Sequence, residues 1–279
     1  MHAEEWHPEG PMLDLPTGAA SGGAAGGAGG DAWPSFSADS PLMRSAGGLP
    51  HDEGQLKVAA EWLQRILQLN EMKAEKVPAW AAFELGLVRA RQRDTSAANA
   101  AWRRAMATND PEYAPRAACF MAVGHQQEND WIRAGEAWQF ALDAGNKRYL
   151  AAALLGLGTV AQQQGKIEEA FGYWERAIER RDPEFSGRAA LLLACRHLER
   201  GEYEQAEAGF CQVLDIGSDE FRALALLGLG VGNYEQGDFD QAIVYLGAAA
   251  ESVDPGLLPM VQDYRAEALR RERSGVKVG

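Results

Sequence analysis

The chain has 279 residues, 46 % hydrophobic and 24 % charged, enough for one or two globular domains with a sizeable core. A formal net charge of −13 argues against a general nucleic-acid binder, whose affinity comes from neutralising phosphates, and against docking on anionic lipid. Three cysteines (Cys119, Cys195 and Cys211) exclude a disulfide framework, and no apolar stretch approaches the ~18–20 residues that span a bilayer. The acidic start MHAEEWHPEG has no apolar core of a signal peptide, so a cytoplasmic location is expected.

Residues 1–50 hold 10 of the 31 glycines and 6 of the 12 prolines, including the run SGGAAGGAGG at 21–30. Such a composition cannot bury enough apolar surface to offset chain entropy, so this stretch is expected to be a disordered tail. Two apolar islands interrupt it, Met12-Leu13-Asp14-Leu15 and Trp33-Pro34-Ser35-Phe36. They are either incidental linker residues or a short motif that docks on a partner or on the chain's own groove.

Residues 51–78 are expected to carry an N-terminal capping helix. Asp52 is a plausible N-cap, and Leu56, Ala59, Ala60, Leu63, Ile66 and Leu67 fall at the i, i+3, i+4, i+7 spacing of one helical face.

From residue 79 to 256 the chain repeats with a period of 36 residues. Ala98, Ala134, Ala170, Ala206 and Ala242 form one column, and four residues on stand Trp102, Trp138, Trp174, Phe210 and Leu246. Three further on come Ala105, Ala141, Ala177, Val213 and Ala249, while Arg93, Asn129, Gly165, Gly201 and Gly237 precede each unit's first Ala by five. Asp-Pro recurs at 110–111, 182–183 and 254–255, two periods apart, and an aromatic follows at Tyr113, Tyr149, Phe185 and Phe221. The small residue lets two helices approach. The large one lies four positions on, on the same face, and fills the gap between neighbours. Gly165, Gly201 and Gly237 suit a left-handed helix end, and Asp-Pro stops one helix and caps the next. Each unit is a helix-turn-helix hairpin whose core is too small to stand alone, so the array is expected to stack. Residues 257–279 are expected to form an Arg-rich C-terminal capping helix and tail.

These columns resemble the tetratricopeptide repeat (TPR). Leu154, Leu157, Gly158, Ala170, Trp174 and Ala177 fit the family pattern in the third unit. Leu226, Leu229, Gly230, Ala242, Leu246 and Ala249 do so in the fifth, where the aromatic is missing. The usual family period is 34, so groove shape does not carry over. The resemblance implies an all-α fold, a right-handed α-solenoid of five TPR-like repeats with a capping helix at each end. It also implies that the first helix of each hairpin lines a concave groove.

Projecting the chain onto the groove columns selects Trp80, Phe83, Arg116, Gln126, Gln127, Thr159, Gln162, Gln163, Arg188 and Tyr234. The columns at repeat positions 5 and 9, which include Phe83 and Thr159, either face the groove or pack between hairpins. Neither column holds the Lys or Asn with which chaperone-binding family members clamp a carboxylate, so that function is not implied. The groove suits an extended or helical peptide with apolar anchors.

No catalytic site, cofactor site or metal site is expected. His125 and His197 share one repeat slot, which reads as packing. Cys119 and Cys195 read as small apolar fillers, and the GLG triplets at 156–158 and 228–230 as close-packing glycines. The leading expectation is a non-catalytic interaction scaffold, monomeric or weakly oligomeric, that binds a protein or peptide partner in its groove, with no nucleic acid and no membrane. A regulatory module autoinhibited by its own N-terminal tail is the alternative. An enzyme with an unrecognised site in the solenoid is the reading from another class.

Overall fold

The computed structural model describes residues 53–73, 76–182, 184–217 and 219–274. The expected tail at 1–50 lies outside them. Twelve helices and no strand occur among the described residues. They are α1 (Glu53–Met72), α2 (Ala79–Arg91), α3 (Thr95–Ala107), α4 (Tyr113–Gln127), α5 (Trp131–Asp143), α6 (Lys147–Gln163), α7 (Ile167–Glu179), α8 (Phe185–Glu199), α9 (Tyr203–Ile216), α10 (Asp219–Glu235), α11 (Phe239–Ala250) and α12 (Leu258–Ser274). The fold is an all-α helical repeat of the solenoid type. Two compact units part within α8, between residues 189 and 190.

In the unit ending at residue 189, α1 packs on α2, and the hairpins α2–α3, α4–α5 and α6–α7 follow. The second helix of each hairpin packs on the first helix of the next, and the first helices α2, α4 and α6 also meet side by side. Trp102, Trp138 and Trp174, which lead the second helices, are buried to 2 % exposure or less. Each lies against a glycine. A Cβ added at Gly86 would stand 2.1 Å from Trp102 Nε1, one at Gly158 2.3 Å from Trp174 Nε1, and one at Gly156 2.2 Å from Trp138 Cε2. The three indole N–H groups find no acceptor among the described residues, so shape rather than hydrogen bonding seats these rings.

The unit beginning at residue 190 uses the same device. Phe210 of α9 lies on Gly228, Leu246 of α11 lies on Gly230, and Gly209 meets Ala194. Each GLG triplet thus serves two neighbours. Its glycines stand two residues apart, on nearly opposite sides of the helix. Gly156 and Gly228 receive the large residue of the preceding hairpin, while Gly158 and Gly230 receive that of their own. In α4, Phe120 occupies the slot equivalent to Gly156 and packs its ring 5.9 Å from Trp102.

The turns repeat as strictly as the core. Within hairpins, Arg93, Asn129, Gly165, Gly201 and Gly237 all have positive φ. Between hairpins a second left-handed column appears at Asn109, Gly145, Arg181 and Gly217. Aspartates cap the helix starts. Asp94, Asp130 and Asp238 accept the N–H three residues on. Asp110 Oδ1 accepts from Glu112 N and Tyr113 N, both at 2.9 Å, and Asp182 does the same for Glu184 and Phe185 at 3.0 Å.

Candidate functional site

Because α2, α4 and α6 lie side by side, residues 36 apart on these helices become lateral neighbours. The sequence-selected residues separate by depth. Phe83 is fully buried, its ring 5.5 Å from Phe120 and 5.9 Å from Tyr113. Arg116 is also buried, with its guanidinium 4.7 Å above the Phe83 ring. Both belong to the floor beneath the face. Thr159 is half-buried and its hydroxyl donates to Leu155 O at 3.0 Å, the back-bond of a helical Thr. At positions 5 and 9, Cys119, Leu155, Leu87 and Val123 in the first unit are buried, as are Leu191, Leu227, Cys195 and Val231 in the second.

Five selected residues reach the surface of the first unit at the ends of these helices. Trp80 is 40 % exposed at the start of α2. Gln126 and Gln162 are half-buried and Gln127 and Gln163 exposed, each pair in the last turn of its helix. Arg188, at the start of α8, is half-buried. Tyr234 lies in the second unit. There its ring packs 5.7 Å from Phe239 and 5.5 Å from Tyr264, under the Arg271 guanidinium at 5.7 Å. The C-terminal helix α12 therefore covers much of Tyr234.

One functional candidate escaped the sequence reading. Trp62 on α1 is 58 % exposed and pairs with Trp80, ring centroids 6.3 Å apart and tilted 47°. The signal was present in the sequence: α1 carries apolar residues on both of its faces.

Titratable groups outside the face look structural. Burial pushes the Cys195 thiol up to about 12 and raises Cys119 further, so neither offers a thiolate nucleophile near neutral pH. Burial and the hydrogen bond from its hydroxyl to Glu112 Oε1, 2.6 Å, raise Tyr149. Burial raises Glu84, partly opposed by Arg116. His125 Nδ1 stands 3.5 Å from Glu128, and His197 Nδ1 2.5 Å from Glu202. No group of three His, Cys, Asp or Glu side chains converges to hold a metal among the described residues. No helix among them is long and apolar enough to cross a membrane.

With paired helices, small-to-large contacts and a 36-residue period established, comparison is direct. Residues 121–184 and 191–256 each match the sequence pattern of the tetratricopeptide repeat. These two stretches are tetratricopeptide repeats. The chain is similar in fold to BtubC (BKLC) from P. vanneervenii, at 17 % identity and a TM-score of 0.58, over 76 % of this chain and 91 % of that one. It is also similar to YrrB, described as a TPR protein with an unusual peptide-binding site. That likeness has 19 % identity and a TM-score of 0.52, and covers 77 % of this chain and 99 % of that one. At such identities the likeness concerns fold alone. No curated protein sequence matches the chain.

Proposed function

We propose that this protein is a non-catalytic interaction scaffold that holds a partner peptide across the first-helix face of the unit ending at residue 189. The observation that carries the reading is the recurrence of Gln126-Gln127 and Gln162-Gln163 at the same point of the adjacent helices α4 and α6. A glutamine amide both donates and accepts, so a column of them can pair with the N–H and C=O groups of a peptide backbone whatever its side chains. Trp80, at the opposite end of the same helix face, supplies an exposed aromatic anchor for a peptide that runs along it. The net charge of −13 disfavours a polyanionic partner. YrrB, a fold neighbour, is described as having a peptide-binding site, which agrees with this use of the fold.

Selection of a random displayed peptide library against the intact chain tests the proposal. Peptides with apolar anchors should be enriched, and the Gln126, Gln127, Gln162, Gln163→Glu variant, folded by circular dichroism, should bind them at least about tenfold more weakly, the loss of one to two net hydrogen bonds. Unchanged affinity in the variant would remove the glutamine column from the function.

A further inference from the structure

Helix α1 has two apolar faces. Leu56, Ala60, Leu63 and Leu67 are buried against the repeat array. On the opposite side Val58, Trp62, Leu69 and Met72 form a stripe, exposed by 66 %, 58 %, 45 % and 84 %. At 100° per residue the four cluster about a direction nearly opposite the buried face, with Arg65, also exposed, in their midst. Four large apolar side chains in one row, extended laterally by Trp80, mark an interaction surface rather than scattered exposure.

The identity of the occupant follows from charge and tether. A second copy is disfavoured by Arg65, which lies midway between Val58 and Met72. Two-fold pairing of the stripes, antiparallel or in register, sets Arg65 against its own copy, with like charges in contact. An acidic segment with aromatic anchors suits the stripe instead. The chain supplies one. Residues 1–52 carry seven acidic side chains against the single Arg44, and within them Asp31 and Asp39 flank Trp33 and Phe36. Sixteen residues, 37–52, separate Phe36 from the first residue of α1. An unfolded chain of that length averages ~20–24 Å end to end. The stripe from Val58 to Met72 is about 21 Å long. The tether therefore holds the segment within reach, at the millimolar effective concentration of a short linker.

We propose that residues 31–39 dock in cis on the outer stripe of α1, with Trp33 and Phe36 on Val58, Trp62, Leu69 and Met72 and with Asp31 and Asp39 flanking Arg65. This is independent of the glutamine column, which lies on α4 and α6. The segment acts as a cover for the N-terminal end of the repeat array, and a competing partner must displace it.

The test is photo-crosslinking in the intact chain, with Phe36 replaced by p-benzoylphenylalanine and products located by peptide mass spectrometry. The expected adducts are intramolecular and fall at residues 58–72 or at Trp80. Trp62→Ser, at an exposed position that leaves the core intact, should lower their yield at least about fivefold, the loss of an aromatic contact. Arg65→Glu should lower the yield about threefold at low salt and less at high salt. Adducts between two chains would overturn the proposal in favour of a dimer interface. Adducts elsewhere in the same chain, such as at Gln162 or Gln163, would move the segment to another face. No adduct, or a yield indifferent to Trp62→Ser, would leave the stripe to a foreign partner and refute cis docking.

Discussion

The seating of Trp174 on Gly158 yields a prediction with a sign that runs against helix propensity. Gly158 is in the middle of α6, where alanine should gain ~0.5–1 kcal/mol over glycine. Its Cβ, however, would stand 2.3 Å from Trp174 Nε1 and 2.4 Å from Cδ1, about 1 Å inside ordinary contact at 3.4 Å. The obstacle is the flank of a fully buried ring, not the tip of a mobile side chain. Overpacking of this kind costs ~1–3 kcal/mol, so Gly158→Ala should be net destabilising by about 1–2 kcal/mol. Gly172, in the partner helix α7, has nothing within 4 Å of its would-be Cβ. Gly172→Ala should therefore stabilise by ~0.5–1 kcal/mol, and the two variants should differ by about 1.5–3 kcal/mol. Urea unfolding followed by circular dichroism, read as midpoint shifts at constant slope, measures both. If Gly158→Ala proved as stable as Gly172→Ala, the ring would not lean on this glycine and the small-to-large account of the hairpin would fail.

Three further outcomes are expected. Asp110→Ala removes the acceptor of two backbone N–H groups at the start of α4 and should cost ~0.5–2 kcal/mol; a change below about 0.3 kcal/mol in the same assay would deny the cap. Arg181 holds φ of 53° in a slot that Gly145 and Gly217 fill elsewhere, so Arg181→Gly should raise stability by ~0.5–1 kcal/mol, and a loss would contradict the strain. Burial raises the folded-state pKa of Glu84 above 4.5, so its contribution favours the fold at acid pH and is lost as pH rises through the raised value. Glu84→Gln should therefore raise the Tm relative to wild type at pH 7 but not at pH 4; an equal shift at both would show that charge is not the cause.

Much of the fold was legible because one residue per column dominates each contact. The Trp, Ala and Asp-Pro columns announce the hairpin, its close approach and its stop. The left-handed turn was readable from Gly165, Gly201 and Gly237, and Arg93 and Asn129 follow the same backbone despite their side chains. The second turn column was not readable, since Asn109 and Arg181 dilute Gly145 and Gly217. The GLG triplets announced close packing, but which neighbour each glycine receives depends on the stacking of hairpins. The face was less legible. Phe83 and Arg116 sit in groove columns by number, yet interlocking hairpins bury them. Tyr234 looked open until α12 laid Tyr264 and Arg271 over it. The α1 stripe is less legible because Leu56, Ala60, Leu63 and Leu67 already account for one complete apolar face of the helix.

The alternation of glycine partners has a consequence for how such an array grows. GLG occurs in the third and fifth units only, and Asp-Pro likewise returns every second unit. Phe120, Gly156, Leu192 and Gly228, bulky and glycine in turn, occupy the slot in which Gly156 and Gly228 receive the large residue of the preceding hairpin. Donor and recipient surfaces thus match between unlike neighbours. Duplicating or excising a pair of hairpins preserves every match, whereas inserting one alone sets like against like, leaving a void or a clash. The pair of hairpins is therefore the step in which the array can lengthen or shorten without repacking.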